Sequence, residues 1–242
     1  MPLYQDEGVV LRTAKLGEAD RIITVFTRDH GKIRAVAKGV RRTKSRFGGR
    51  LEPFMRVALL IAEGRSLDVI SQAESISAYA GPICADFAAY AAANVICETA
   101  DKLVSAERER SVPQYRLILG ALNALAKHAH EPAAIGDSYV MRALSIAGWT
   151  PRLRACVVCG EPISIDKAWY FSISSGGVMC VKDHIPESFA VPWKAICQLD
   201  ALVDGDWPEL DGGELMGETR RMVEKWGEYY MERPIRSMRL LD

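Results

Sequence analysis

The hydrophobic period of this chain changes once, at Ala80-Gly81-Pro82, and that change limits the folds open to it. Before it, β-branched residues recur in short runs broken by turn signals. After it, apolar residues recur at helical spacing. A chain of 242 residues organised this way is expected to be α+β and multidomain, with room for two domains or one large one.

The first 80 residues carry about five strand patterns. Residues 8–13 and 21–28 form the first two, and Asp29-His30-Gly31 reads as a turn between strands. In residues 32–38 the alternation is clear: Ile33, Ala35 and Ala37 share one face, while Lys32, Arg34 and Lys38 share the other. Residues 56–62 and 67–77 complete the set. Several short strands with a cationic face suggest an OB-type barrel. An SH3-like barrel is the structural competitor, and periodicity alone does not separate the two.

Beyond residue 80, helices are expected over 85–104 and 114–130. A third, capped by Asp137-Ser138, would run to Gly148. After a loop-rich, cysteine-bearing stretch, helical spacing returns over 192–203 and 214–232, where Pro234 stops it. The expected organisation is therefore a barrel over 1–80, a helical domain begun by 81–150 and finished by 187–242, and an insertion over 151–186.

Charge is distributed unevenly. The formal net charge is +0, yet residues 12–56 hold 13 Lys and Arg against 4 Asp and Glu. The densest part is Lys38-Gly39-Val40-Arg41-Arg42-Thr43-Lys44-Ser45-Arg46-Phe47-Gly48-Gly49-Arg50. Such a loop does not bury its charges cheaply. It suits phosphates, and an aromatic within it can offer a ring to a base. The expected nucleic-acid contacts are Lys32, Arg34, Lys38, Arg41, Arg42, Lys44, Arg46, Phe47 and Arg50. For Phe47 the alternative is a ring tucked back against the barrel. The competing class is a protein-interaction scaffold whose basic barrel docks an acidic partner.

The insertion holds Cys156-Val157-Val158-Cys159-Gly160, a knuckle with two thiols two residues apart. Cys180 follows twenty residues on. A structural zinc ion takes four nitrogen or sulfur ligands in a tetrahedron. Cys156, Cys159, Cys180 and His184 are the expected set, with Asp183 as the rival fourth ligand. A zinc deaminase would need H-x-E before P-C-x-x-C, which this chain lacks. A thioredoxin-like motif would need a βαβ setting. Cys84, Cys97 and Cys197 read as packing residues.

No phosphate-binding glycine loop of the helicase or dinucleotide type is present. No pair of carboxylates stands beside a nucleophile, so no enzymatic activity is expected. The first residues lack the basic start and apolar core of a secretory signal. No run approaches the ~20 apolar residues of a membrane helix. A cytoplasmic protein without a membrane partner is expected, and thiols there favour metal binding or burial over disulfides.

Taken together, these residues resemble the RecO family of bacterial recombination mediators. The resemblance rests on Glu7-Gly8-Val9-Val10-Leu11, on Gly17-Glu18-Ala19-Asp20-Arg21, and on Gly31 followed by Ala35-Val36-Ala37-Lys38-Gly39-Val40-Arg41-Arg42. Ser45-Arg46-Phe47, Leu51-Glu52-Pro53-Phe54 and the late cysteine insertion complete it. The family implies an N-terminal OB fold, a helical body with a zinc-finger-like insertion, and binding of single- and double-stranded DNA. It also implies strand annealing in DNA repair and recombination, and indirect help to RecA on strands coated by single-strand binding protein. Partners would be RecR and the C-terminal tail of the single-strand binding protein, with the protein acting at the cytoplasmic nucleoid. Arg108, Arg110, Arg116, Lys127, Arg142, Arg152 and Arg154 are the candidate receptors for that acidic tail. Many members carry two C-x-x-C pairs, whereas Asp183 stands here where the fourth cysteine would be.

Overall fold

The computed structural model describes residues 2–104 and 108–241. Five strands form first: β1 (Leu3–Leu16), β2 (Asp20–Thr27), β3 (Gly31–Ala37), β4 (Met55–Ala62) and β5 (Asp68–Ala78). They close into a barrel in the order β1-β2-β3-β5-β4, and β4 returns to pair with β1. All neighbours run antiparallel except β3 and β5, which meet in parallel at Ala35–Asp68 and Val36–Val69. With that short parallel pairing the five strands form a closed barrel, in keeping with the OB-type expectation. The alternation in β3 sends Ile33, Ala35 and Ala37 inward, where they join Val10, Ile23, Val25, Val57, Leu59, Ile61 and Ile70.

Irregularities sit where a small barrel must bend. The register of β1 against β2 shifts between Val10 and Arg12, and that of β4 against β5 shifts between Arg56 and Val57 and between Leu60 and Ile61. Bulges of this kind sharpen the local twist.

Three helices complete the first compact unit, which spans residues 1–129. They are α1 (Ala80–Ala85), α2 (Phe87–Leu103) and α3 (Val112–Ala126). Asp86 caps α2, its carboxylate accepting from Ala88 N at 2.9 Å. The alanines of α2 are small enough to let the helix approach closely, and Ala89, Ala91, Ala92 and Ala93 are fully buried. Contacts thus divide the chain after residue 129 and not near residue 80, where the hydrophobic period changes. The physical reason is that α2 supplies Asp101 to two barrel cations, Arg12 and Lys32.

The second unit spans residues 130–242. It holds α4 (Pro132–Ile146), a small sheet of β6 (Trp169–Ser172), β7 (Gly177–Cys180) and β8 (Phe189–Val191), then α5 (Trp193–Asp204), α6 (Trp207–Leu210) and α7 (Gly217–Met231). The sheet order is β7-β6-β8. Helices α4, α5 and α7 pack on one another around Val140, Leu144, Ile196, Leu199, Met222 and Val223, all buried. Asp137 was expected to cap a helix. It lies instead inside α4, fully buried, with Arg220 Nε 3.8 Å from its carboxylate. Pro132 begins the helix, because its fixed φ suits the first turn and its missing N–H needs no partner there. Among the described residues no helix is long and apolar enough to cross a membrane.

Candidate nucleic-acid interface and metal centre

The basic segment leaves β3 at Ala37 and returns to the barrel at Met55. It is a relay of tight turns. Arg42 N donates to Gly39 O, Ser45 N to Arg42 O, Gly48 N to Ser45 O, Arg50 N to Phe47 O and Glu52 N to Gly49 O, at 2.9 to 3.4 Å. Gly39 and Gly48 adopt φ of +67° and +53°, which non-glycine residues disfavour. The start of the segment is pinned to the β1–β2 hairpin. Gly39 N donates to the Asp20 carboxylate at 2.7 Å, Arg41 N to Ala19 O at 3.0 Å, and the Arg41 guanidinium to Glu18 O at 2.8 Å.

This bracing leaves the cations outward. Lys38, Arg41, Arg42, Lys44, Arg46 and Arg50 are all exposed. Among the described residues no carboxylate lies within ion-pair distance of Lys38, Arg42, Lys44 or Arg46. Arg50 is held by the carbonyls of Arg46 and Phe47 at 3.0 and 3.4 Å. Lys15 was missed by sequence reasoning. It is exposed on β1 opposite Arg21, which in turn pairs with Ala37 beside the segment. A single lysine ahead of a glycine turn carries no signal of its own; only strand register places it there.

Two of the expected contacts do other work. Phe47 is 1 % exposed and belongs to the barrel core with Leu51 and Met55. Its ring cannot stack on a base from there, and the Arg46 guanidinium lies 4.9 Å above it. The reason is that an open barrel end needs an apolar plug, and the turn relay aims Phe47 and Leu51 inward. Lys32 sits on the outer face of β3 as expected, but α2 covers it. Its Nζ donates to Asp101 O at 2.6 Å and lies 3.3 Å from the Asp101 carboxylate. Arg34 is half-buried on the same face.

The cysteine cluster lies in the second unit. Two similar turns bring its ligands together. Gly160 N donates to Cys156 O at 3.0 Å, folding Cys159 back over Cys156. Asp183 N and His184 N both donate to Cys180 O, at 3.2 and 3.1 Å, folding Asp183 back over Cys180. The ligand atoms of Cys156, Cys159, Cys180 and Asp183 all lie within 4.8 Å of one another. Cys159 Sγ is 3.8 Å from Cys180 Sγ, and the Asp183 carboxylate is 3.1 Å from Cys180 Sγ and 3.4 Å from Cys156 Sγ. A tetrahedron with metal–sulfur bonds of about 2.3 Å has sulfur–sulfur edges of about 3.8 Å. The four groups can therefore hold a metal ion.

The preference for His184 as fourth ligand is corrected by this geometry. The third residue after Cys180 curls over the site, and the fourth points away. His184 Nδ1 lies 2.8 Å from Val181 O, and its ring stacks on Tyr170 with centroids 4.0 Å apart.

Electrostatics fit a cation as well. The hydrogen bond to Asp183 pushes the Cys159 thiol up to about 12, and the same partner raises Cys180. Burial raises Cys156, but the backbone N–H groups of Cys159, Cys180 and Val158 bring it below the ordinary thiol value. Asp183 is held low by the three thiols, Cys159 first. Without an ion these groups share protons, whereas an ion would replace those protons and let all four act as anions.

A family model for the N-terminal part of recombination protein O matches residues 1–79, and one for its C-terminal part matches residues 84–239. Relatives named DNA repair protein RecO include that of Bifidobacterium adolescentis, 80 % identical over all of both chains. That of Bifidobacterium longum subsp. infantis is 68 % identical over all of both chains. The one from a Nocardioides species is 43 % identical over 99 % of each. A match to both halves together with similarity over the whole length shows that the chain belongs to the RecO family.

Proposed function

We propose that this protein is a DNA-binding recombination mediator that anneals complementary single strands during repair and helps RecA onto strands coated by single-strand binding protein. The observation that carries the reading is the braced basic segment, with Lys38, Arg42, Lys44 and Arg46 exposed and free of carboxylate partners among the described residues. Two DNA strands repel through their phosphates. A surface that neutralises both lowers that repulsion and raises their encounter rate without any bond chemistry. The contacts are to the backbone, so recognition tolerates sequence. The relatives' name, DNA repair protein RecO, supports the same role. RecR and the acidic tail of the single-strand binding protein are the proposed protein partners, with the protein at work on cytoplasmic DNA.

We assign the four-ligand cluster to a structural zinc ion held by Cys156, Cys159, Cys180 and Asp183. Three thiols and a carboxylate suit zinc, and a set with every position filled by protein leaves none open for catalysis.

Fluorescence anisotropy of a labelled random-sequence single strand tests the DNA reading. Replacing Lys38, Arg42 and Lys44 with Ala should flatten the salt slope of binding by about 2, at about 0.7 per lost phosphate contact. Annealing of complementary oligonucleotides should slow in step. If the parent fails to bind at low salt, the barrel is a scaffold for an acidic protein.

A further inference from the structure

The start of α2 leaves two aromatic rings in solvent. Phe87 is 72 % exposed and Tyr90 is 40 % exposed, although the face of α2 behind them is packed with buried alanines. Residues three apart on a helix are neighbours on its surface, so the two rings share one patch. A single exposed aromatic is ordinary on a protein surface. A pair one turn apart forgoes burial twice.

Three contacts put this patch beside the basic segment. Met55, where the segment rejoins the barrel, pairs with Ala78 at the end of β5, and α1 starts at Ala80. Val40 of the segment and Ala80 both pack against the core that holds Phe47, Leu51 and Met55. Phe54, the last residue before β4, meets Tyr90 edge-on with ring centroids 5.9 Å apart. Phe54 is itself anchored. Its N–H donates to Val10 O at 2.9 Å, its ring is buried, and its φ of +70° is one that bulky residues avoid. That ring braces Tyr90 from behind. Arg50 stands four residues before Phe54, so their Cα atoms are at most about 14 Å apart. The carboxylates nearest in sequence are engaged. Glu52 pairs with Arg21 at 2.8 Å, and Asp86 caps α2 through Ala88 N at 2.9 Å.

We infer that Phe87 and Tyr90 form a stacking platform for the bases of a single strand whose phosphates lie on the basic segment. Every base has a π-face, so stacking tolerates sequence as the phosphate contacts do. The platform also discriminates between strands and duplex. A duplex keeps its bases stacked on one another and offers this surface only its phosphates. The pair therefore favours unpaired strands and releases their bases once two strands have joined. The inference rests on the DNA-binding reading above, and it assigns the base contact that Phe47, inside the barrel, does not make.

The test is an anisotropy titration of a random-sequence single strand of about twelve nucleotides, within the range such barrels cover, and of the blunt duplex made from it. Phe87 is exposed, so Phe87→Ala should fold like the parent. It should weaken single-strand binding about fivefold or more, the low end for one lost base stack. The salt slope should stay the same, because no phosphate contact is lost. Duplex affinity should not change. Phe87→Trp should restore single-strand binding, with its added indole fluorescence quenched by the strand. Leu3→Ala, an exposed apolar residue paired with Ala62 at the other end of β4, should leave binding unchanged. If Phe87→Ala binds the single strand like the parent while the Lys38, Arg42 and Lys44 variant flattens the slope, the platform is refuted and the DNA-binding reading stands. Equal losses on single strand and duplex would mean that no base is stacked, which also refutes it. Sedimentation showing that Phe87→Ala splits a self-associated parent, with DNA binding intact, would make the patch an interface between copies instead. If the parent binds neither strand nor duplex at low salt, both readings fall.

Discussion

Asp183 would decide how firmly the cluster could hold the proposed zinc ion. Its carboxylate occupies the fourth corner of the cluster and lies 3.1 Å from Cys180 Sγ. Asp183→Ala should lose zinc to a competing chelator that the parent resists, while His184→Ala should keep it, as read by metal analysis after dialysis. Asp183→Cys should hold the ion more tightly than the parent, since thiolate is the softer ligand. The protonation pattern sets the sign of the pH effect. Cys159, pushed up to about 12 by Asp183, is a thiol at neutral pH without the ion. Binding must expel that proton, so affinity should rise with pH and zinc addition should acidify a weakly buffered solution. Phe47 makes a second case at this scale. Its ring is 1 % exposed in the barrel core, so Phe47→Ala should destabilise the fold by about 3 kcal/mol or more in chemical denaturation. Phe47→Leu should bind DNA like the parent. A large loss of affinity in a stable Phe47→Leu protein would instead return the ring to the DNA.

Strand β3 shows how one element divides its cations between structure and function. Its even positions point outward, yet Lys32 is 10 % exposed in its side chain and anchored to Asp101 of α2, while Lys38, just past the end of the strand, is open. Lys32→Ala should therefore lower stability by about 2 kcal/mol, since a charged group's hydrogen bond is lost in a covered site. Its effect on the DNA salt slope should be nil, and a slope lowered by about 0.7 would show a phosphate contact instead. Alternation made the strands and their faces legible in sequence, because it reports which side chains meet the barrel interior. It says nothing of what covers the outer face, so Lys32 and Lys38 looked alike. The turn relay after β3 has no period at all. Phe47 therefore read from its charged neighbours, although an open barrel end draws such a ring inward. The knuckle Cys156 and Cys159, with Cys180 farther on, do come together in one cluster that could hold a metal ion. The fourth depended on a turn geometry, three residues against four, that composition does not encode.

At the scale of the whole molecule, the change of hydrophobic period and the division into compact units fall at different places. The period changes near residue 80 because strands give way to helices there. The units divide after residue 129, because α1, α2 and α3 pack with the barrel. Asp101 bridges to Arg12 at 2.6 Å and to Lys32 at 3.3 Å, Phe54 meets Tyr90 edge-on at 5.9 Å, and Phe26 meets Tyr115 at 6.1 Å. These links join residues 36 to 89 positions apart, beyond the reach of any local pattern. They lead to a prediction about truncation. A fragment of residues 1–80 keeps all five strands but strips the partners from Lys32, Phe26 and Phe54. It exposes apolar surface that α2 and α3 bury, and the loss should leave it aggregated or unfolded. A fragment of residues 1–129 keeps every one of those contacts. It should unfold in one cooperative transition, and it should bind a single strand with the parent's salt slope, because the whole basic segment lies within it. Circular dichroism melting and anisotropy titration of the two fragments measure this directly. A stable, DNA-binding fragment of residues 1–80 would show that the helices are dispensable to the barrel and that the change of period is a true boundary.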